Sequence, residues 1–298
     1  MSELRLNIRS LRELEFRLGF KRDVLWRVAY RAERYYRPFP QSKKGGGYRV
    51  IDRPGGIILT IQKAIHVKFL RNLPYPEHMH GGIKGRSPLS NARLHTGQPV
   101  VIALDIGSFF PSVTNRHIFH VWRATLGCGH QVSRLLTMLT TYRGHLPQGA
   151  STSTALANLV LIECDEAIRD LCERYSLNHG RFVDDINISG VEARRVVNEA
   201  VQSIQKSGFR VPHRKTDISG AGKRHTCTGY VVNDGIGVPR EKRSKLRAAL
   251  HHLRTNNLSP REGTKLLRSI KGRIQYVKWS LENEPEGIKR IANEVMEY

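Results

Sequence analysis

Long apolar runs are missing from this 298-residue chain. No stretch approaches the roughly 18–20 apolar residues that a membrane span needs, and the opening "MSELRLNIRS" has no apolar signal segment. The expectation is a cytoplasmic protein with no membrane partner. Cysteine is scarce. Cys128, Cys164, Cys172 and Cys227 are the only four, and none stands at CxxC spacing. A disulfide framework is therefore excluded and a zinc site disfavoured; these read as reduced, partly buried thiols. The 13 histidines form no HExxH pair, and the adjacent His251 and His252 suit neither one helix face nor a chelate. Internal repeats and low-complexity linkers are also missing. Acid is short relative to base: 26 Asp and Glu against 49 Lys and Arg leave a net charge of +23. Such an imbalance implies a polyanionic partner. The basic residues run along the whole chain instead of gathering in a tail or an amphipathic anchor, which favours nucleic acid over a membrane surface.

The apolar content of 39% suffices for one large core or two smaller ones. Leu4, Ile8, Leu11, Leu14 and Leu18 recur at helical spacing and predict a helix over 3–18. A basic, glycine-rich loop, "PQSKKGGGYRVIDRPGG", precedes a helix over 60–73, and a second such loop, "HGGIKGRSPLSNARLH", follows it. "PVVIALDI" is a continuous apolar run that ends in an acid, the pattern of a buried strand. Helices are expected over 115–142 and 154–175, and over 191–208 with Gly208 as the stop. "TCTGYVVNDGIGVP" predicts a hairpin turning at Asn233-Asp234-Gly235. From Arg240 the chain reads as basic helices, the second capped by Ser259. The order is that of an α+β core followed by an α-helical module.

The acids carry the chemistry. Asp105 ends the buried strand, and Asp184 and Asp185 in "RFVDDINIS" (181–189) are expected at the tip of a hairpin formed by 180–189. By itself an Asp-Asp pair reads as an exposed turn, and Asp105 as a strand-end acid capping the next turn. In one sheet, the three carboxylates would converge and repel, raising their pKa values. A hard divalent cation such as Mg²⁺ removes that conflict. Two such ions are the apparatus of in-line phosphoryl transfer. In "LPQGASTSTALANL", the small residues around Gly149 read either as an ordinary loop and cap or as a surface for a flat base pair held by Gln148. In "IGSFFPS" the two aromatics are either core or a ring beneath an incoming sugar that would exclude a 2′-hydroxyl. "SKKGGGYR" is either a solvated hairpin loop or a basic finger with Lys44 and Arg49 reaching triphosphate oxygens.

In this order, "SKKGGGYRVIDRP", "ALDIGSFFPS", "LPQGASTSTALANL", "FVDD", "HRKTDISG" and "CTGYVV" resemble the motif series of a reverse transcriptase, over about residues 30–240. The match is closest to retron-type bacterial enzymes, through "NARLH" (91–95) and "CTGYVVNDGIGVPREK". The resemblance implies a right-hand polymerase fold: helices and fingers over 1–104, a palm with an antiparallel sheet packed on helices over 105–239, and a helical thumb over 240–298. It implies that Asp105, Asp184 and Asp185, with the backbone of Ile106, bind two Mg²⁺ ions, with Mn²⁺ as a substitute. Phe110 would be the steric gate, Gln148 and Gly149 would border the nascent pair, and Lys44 and Arg49 would touch the dNTP triphosphate. Lys215 would be the general acid for pyrophosphate. Asn91 and His95 would be structural or RNA-contacting, and Arg240, Lys242 and Arg243 would follow the RNA–DNA duplex.

The implied activity is RNA-directed DNA synthesis on a cognate structured noncoding RNA, primed from that RNA's own 2′-hydroxyl. The implied role is antiphage defence, with an effector protein encoded alongside. The alternatives are a defence reverse transcriptase making protein-primed, repetitive or untemplated DNA, and a catalytically silent RNA-binding protein on the same fold. Four positions depart from the pattern. Phe182 stands where Tyr is usual, both prolines of the common A-P-T-S-P are absent from "ASTSTALANL", and Ser108 stands where many relatives carry an acid.

Overall fold

The computed structural model describes residues 4–43, 46–256, 258–278 and 289. In chain order the helices are α1 (Leu11–Leu18), α2 (Arg22–Tyr30), α3 (Gly56–Ile65), α4 (Pro88–Leu94), α5 (Phe109–Ser112), α6 (Asn115–His120), α7 (His130–Thr140), α8 (Ser153–Val160), α9 (Ile162–Arg174), α10 (Val197–Lys206), α11 (Arg240–Thr255) and α12 (Pro260–Lys278). The strands are β1 (Tyr36–Ser42), β2 (Tyr48–Pro54), β3 (Val101–Asp105), β4 (Asn178–Phe182), β5 (Asp185–Ser189), β6 (Thr216–Ser219), β7 (Thr226–Cys227) and β8 (Tyr230–Val231). The class is α+β. A four-stranded antiparallel sheet in the order β4-β5-β3-β6 forms the centre. β1 and β2 make a separate hairpin, as do β7 and β8.

Alternation places Ile102, Leu104, Ile186 and Ile188 in the principal core, which runs from Leu4 to Phe209 and takes in helices α1 to α3 and α6 to α10. A second core joins Leu89 and Ala92 of α4 to Tyr230, Val232, Leu246, Leu250, Ile270 and Ile274. The α11–α12 pair is therefore anchored on α4 and the β7–β8 hairpin. Ser259 caps α12 as its type suggests: its hydroxyl accepts from Glu262 N, and the Glu262 carboxylate accepts in return from Ser259 N at 3.2 Å.

The structure departs from the sequence expectations in several places: the first glycine-rich loop forms β1 and β2, the second holds α4, and the helix expected over 60–73 begins at Gly56. The helix expected over 3–18 begins only at Leu11, where Ser10 accepts from Glu13 N at 3.2 Å. Residues 5–9 instead form no helix, with Asn7 at φ 53°, and lie against the loop after Trp122. Leu6 N and Asn7 N donate to Leu126 O, and Gly129 N donates to Ile8 O at 2.8 Å. Gly127 and Gly129 allow that approach, because a Cβ on either would strike Asn7 or Arg9. The same docking interrupts the helix expected over 115–142, which ends in a π-turn at Val121–Thr125 and restarts at His130. The helix expected over 154–175 breaks at Leu161. The second hairpin turns at Thr228-Gly229, with φ of 44° and 87° (type I′), rather than at 233–235. The Thr228 hydroxyl donates to Pro88 O at 2.6 Å and helps hold that turn. A single bridge, Val231–Gly237, encloses 233–235. The helical expectation beyond Lys278 and the Lys44 position lie outside the described residues.

Candidate active site

Register brings the acids together. Asp105, the last residue of β3, is the direct cross-strand partner of Asp185, the first residue of β5. Phe182 and Asp185 close the β4–β5 hairpin around a two-residue turn, Val183-Asp184. Val183 sits at φ 61°, a left-handed conformation that is rare for a β-branched side chain. Such a residue costs about 1–3 kcal/mol and persists only where its surroundings enforce it. Ile106 N donates to Asp184 O at 3.2 Å, tying the turn to the end of β3.

Burial pushes Asp185 up to about 7; the neighbouring Asp184 and Asp105 add to the rise, and Lys215 opposes it. Asp184 is also raised, first by burial and then by Asp105. Lys215 donates its ammonium to Asp105 Oδ1 and lies 3.4 Å from Ile106 O. Among the described residues, no three acid, His or Cys side chains are grouped so as to hold a metal ion. Asp105 is engaged by the Lys215 ammonium, and Asp184 occupies the turn beside the Asp105–Asp185 pair. The donor chemistry suits a hard divalent cation: carboxylate oxygens, the Ile106 carbonyl, and two hairpin acids raised by burial and by neighbouring negative charge.

In "FF", Phe109 is 2% exposed and packs edge-on against Phe209 at 5.1 Å, so it is core; Phe110 is half-buried beside it. Ser108 precedes them at φ 49°. Gln148 O accepts from Asp52 N at 2.9 Å, and exposed Gly149 lies against Ile51 at φ 124°, so this loop docks on β2. Arg49 is exposed on the same hairpin and donates to Gln41 Oε1 at 2.8 Å. Arg240 is exposed at the start of α11, whereas Lys242 donates to Gly229 O at 3.0 Å and fastens α11 to the β7–β8 turn.

Asn91 and His95 are buried completely, so their side chains are structural and do not present themselves to RNA. Asn91 Nδ2 donates to Asn187 Oδ1 at 2.8 Å, Cys227 Sγ lies 3.2 Å from the same oxygen, and His95 Nδ1 meets Ser189 Oγ at 2.7 Å. These contacts brace β5 from behind. A cleft of about 270 Å³ opens beside Asp185, lined by Phe182, Asn187, Pro88, Thr226, Thr228 and Gly229.

Sequence reasoning missed Arg181, Asp165 and Asn158, all fully buried. The signal available was a lone Arg inside the opening strand and a lone Asp on an otherwise ordinary helix face. Burial raises the Asp165 pKa, but the Arg181 guanidinium and a His78 hydrogen bond outweigh it and leave the carboxyl at about 2.

Burial holds His95 at about 4 and His179 at about 3. Neither ring nitrogen of His179 has a hydrogen-bond partner among the described residues. The unfolded chain, with His near 6.5, takes up protons that the folded chain refuses, so stability is full above pH 6.5 and falls as pH drops toward 4. By pH 5 the loss is on the order of 2 kcal/mol per histidine, from about 1.4 kcal/mol per pKa unit. Urea titrations of wild type and His179→Phe at pH 7.5 and 5 are expected to show a smaller loss of midpoint at pH 5 in the variant, since the raised Asp185 acts on both alike; equal losses would contradict the neutral assignment.

Residues 41–232 match the reverse transcriptase (RNA-dependent DNA polymerase) family. The chain is 32% identical over 281 residues to the retron Mx65 reverse transcriptase of Myxococcus xanthus, covering 87% of this chain and 64% of that protein. It is 31% identical over 237 residues to the retron Ec86 reverse transcriptase of Escherichia coli, covering 78% and 74% respectively. The retron Se72 reverse transcriptase of Salmonella heidelberg is 28% identical over 255 residues, covering 80% and 66%.

Proposed function

The chain belongs to the retron-type reverse transcriptases, and from that premise we propose that it is an RNA-directed DNA polymerase that copies a cognate structured noncoding RNA. The observation that carries the reading is the Asp105–Asp185 cross-strand pair, with Asp184 in the adjoining turn and Lys215 on Asp105. Asp105, Asp184, Asp185 and the Ile106 carbonyl would hold two Mg²⁺ ions. When bound, these supply activation of the attacking hydroxyl and neutralisation of the triphosphate charge.

The chain's own residues do the rest. The attacking hydroxyl bonds to the α-phosphorus of a dNTP as the bond to pyrophosphate breaks. Lys215, whose ammonium donates to Asp105 Oδ1, would give its proton to that leaving group. The cleft beside Asp185, walled by Phe182 and the Thr228-Gly229 turn, would seat the priming nucleotide. That primer would be the RNA's own 2′-hydroxyl, giving a covalent RNA–DNA product. Gln148 and Gly149 would support the nascent pair, and Lys44 and Arg49 the triphosphate. The exposed bases of α11 would follow the duplex backbone. Antiphage defence with an effector protein is the biological role consistent with this reading.

The test is Mg²⁺-dependent extension with labelled dNTPs, followed by sequencing of the nucleic acid that copurifies. A branched RNA–DNA molecule of defined sequence is expected; homopolymeric or random DNA would refute the retron mode. Phe110, the half-buried ring of its pair, would exclude a 2′-hydroxyl. Phe110→Val is expected to raise ribonucleotide incorporation by roughly 10–100-fold, the range a shape-selective pocket provides. Unchanged discrimination in competition assays would remove Phe110 from that role.

A further inference from the structure

The metal-ligand turn contains a residue in a conformation it does not favour, and the structure shows what holds it there. Arg181 is buried on β4, two residues before Val183, and its guanidinium donates to Val183 O at 2.7 Å. Every other N–H of that guanidinium is also used. Nε reaches both Asp165 oxygens at 2.8 and 2.9 Å, Nη2 reaches Asp165 Oδ2 at 2.6 Å and Asn158 O at 3.1 Å, and Nη1 reaches Asn158 Oδ1 at 3.1 Å. Five donors in a rigid fork are thus tied to two helices and to the turn.

The turn is covered from a second direction. Residues 78–80 run alongside β4, with Arg181 N donating to His78 O at 2.7 Å and His80 N to Arg181 O at 2.8 Å. Asn158 Nδ2 holds Gly81 O at 2.7 Å. A Cβ on Gly81 would lie 2.6 Å from Val183 N and strike its side chain, so only glycine lets this loop lie on the turn. Arg86 secures the loop through the carbonyls of Tyr75, Pro76 and Met79.

We propose that Arg181, Asp165, Asn158 and Gly81 are positioning residues: they clamp Val183 in its left-handed conformation and so aim Asp184 and Asp185 at Asp105. A buried ion pair contributes little to stability compared with a well-packed apolar replacement. Five-fold ligation of one guanidinium next to a metal-ligand turn instead serves geometry. The glycine-rich "HGG" segment gains its purpose here as the outer jaw of the clamp. The proposal rests on the reverse transcriptase reading for its activity readout, and metal affinity tests it without that reading.

The first variant is the double Arg181→Met/Asp165→Leu, which removes both charges together and keeps side-chain volume. It is expected to fold with a melting temperature near wild type and an unchanged KM for dNTP. Its turnover with Mg²⁺ should fall by about 100-fold, the effect of a displacement of roughly 1 Å. Mn²⁺ binding in the absence of substrate, followed by loss of the free-ion EPR signal, should weaken by about 10-fold or more, as for outer-shell partners of a metal site. A folded double variant with wild-type turnover and Mn²⁺ affinity overturns the proposal.

The second test does not need that variant to fold. Arg181→Lys keeps the charge but cannot make the fork, and it should lose turnover at unchanged KM. Adding Val183→Gly removes the conformational penalty and should restore part of the turnover and the Mn²⁺ affinity. No restoration in the folded Arg181→Lys/Val183→Gly variant overturns the clamp. Wild-type protein that binds Mn²⁺ but extends no primer would refute the polymerase reading and leave the Mn²⁺ comparison to decide the clamp.

Discussion

Asp184→Asn, and separately Asp185→Asn, are each expected to reduce DNA synthesis by ~10³-fold or more while RNA affinity stays near wild type. The size follows from the several kcal/mol of charge stabilisation that a catalytic metal contributes, at about 1.36 kcal/mol per tenfold in rate. The substitutions are isosteric, so the β4–β5 hairpin keeps its shape; they remove charge, not volume. Asp185 faces Asp105 in the β3–β5 register, and Asp184 is fixed by Ile106 N through its own carbonyl. Neither backbone contact depends on the carboxylate. RNA affinity would come from basic residues elsewhere on a chain of net charge +23. Primer extension beside a gel-shift titration separates the two effects. Full synthesis by either variant would end the metal assignment for that residue.

Arg181→Ala is expected to lower stability by about 3–5 kcal/mol, because it leaves the Asp165 carboxylate buried without its counter-charge. Asp165 is fully buried and held ionised by that guanidinium. Asn158 would lose two donors in the same step. The single removal should therefore be much more damaging than the paired apolar replacement, although both abolish the contact to Val183. Denaturant unfolding of the two variants under one set of conditions checks the order. If Arg181→Ala unfolds at the wild-type midpoint, the pair is not buried as described.

Much of this site was legible in one dimension. An apolar run ending in Asp105 and a β-forming segment interrupted by Asp184-Asp185 can be read from residue types alone, because a strand's period of two and the cost of an acid among apolar neighbours are local facts. The same holds for Ser259 as a cap and for the basic balance of the chain. The role of "NARLH" was not legible. Asn91 and His95 look like polar residues available to a ligand, and only the packing of α4 behind β5 shows them bound to Asn187 and Ser189 in the interior. The choice between Phe109 and Phe110 was open for the same reason: adjacent aromatics carry no sign of which one meets Phe209.

The elements whose periodicity misled are those that answer to distant partners. Leu4 and Ile8 have helical spacing, yet Leu6, Asn7 and Ile8 make their backbone hydrogen bonds with the 126–129 loop, where two glycines leave room for close approach. The Thr228-Gly229 turn prevailed over Asn233-Asp234-Gly235 through a hydroxyl bond to Pro88, well over a hundred residues away in sequence. Residue type and spacing determine charge, class, strand ends and the identity of the acids, since these depend on neighbours within a few residues. Which acid faces which, what neutralises Asp105, and what holds Val183 in its conformation depend on register and on contacts between segments far apart in the chain. Those contacts exist only once the sheet and its helices have closed around a common core.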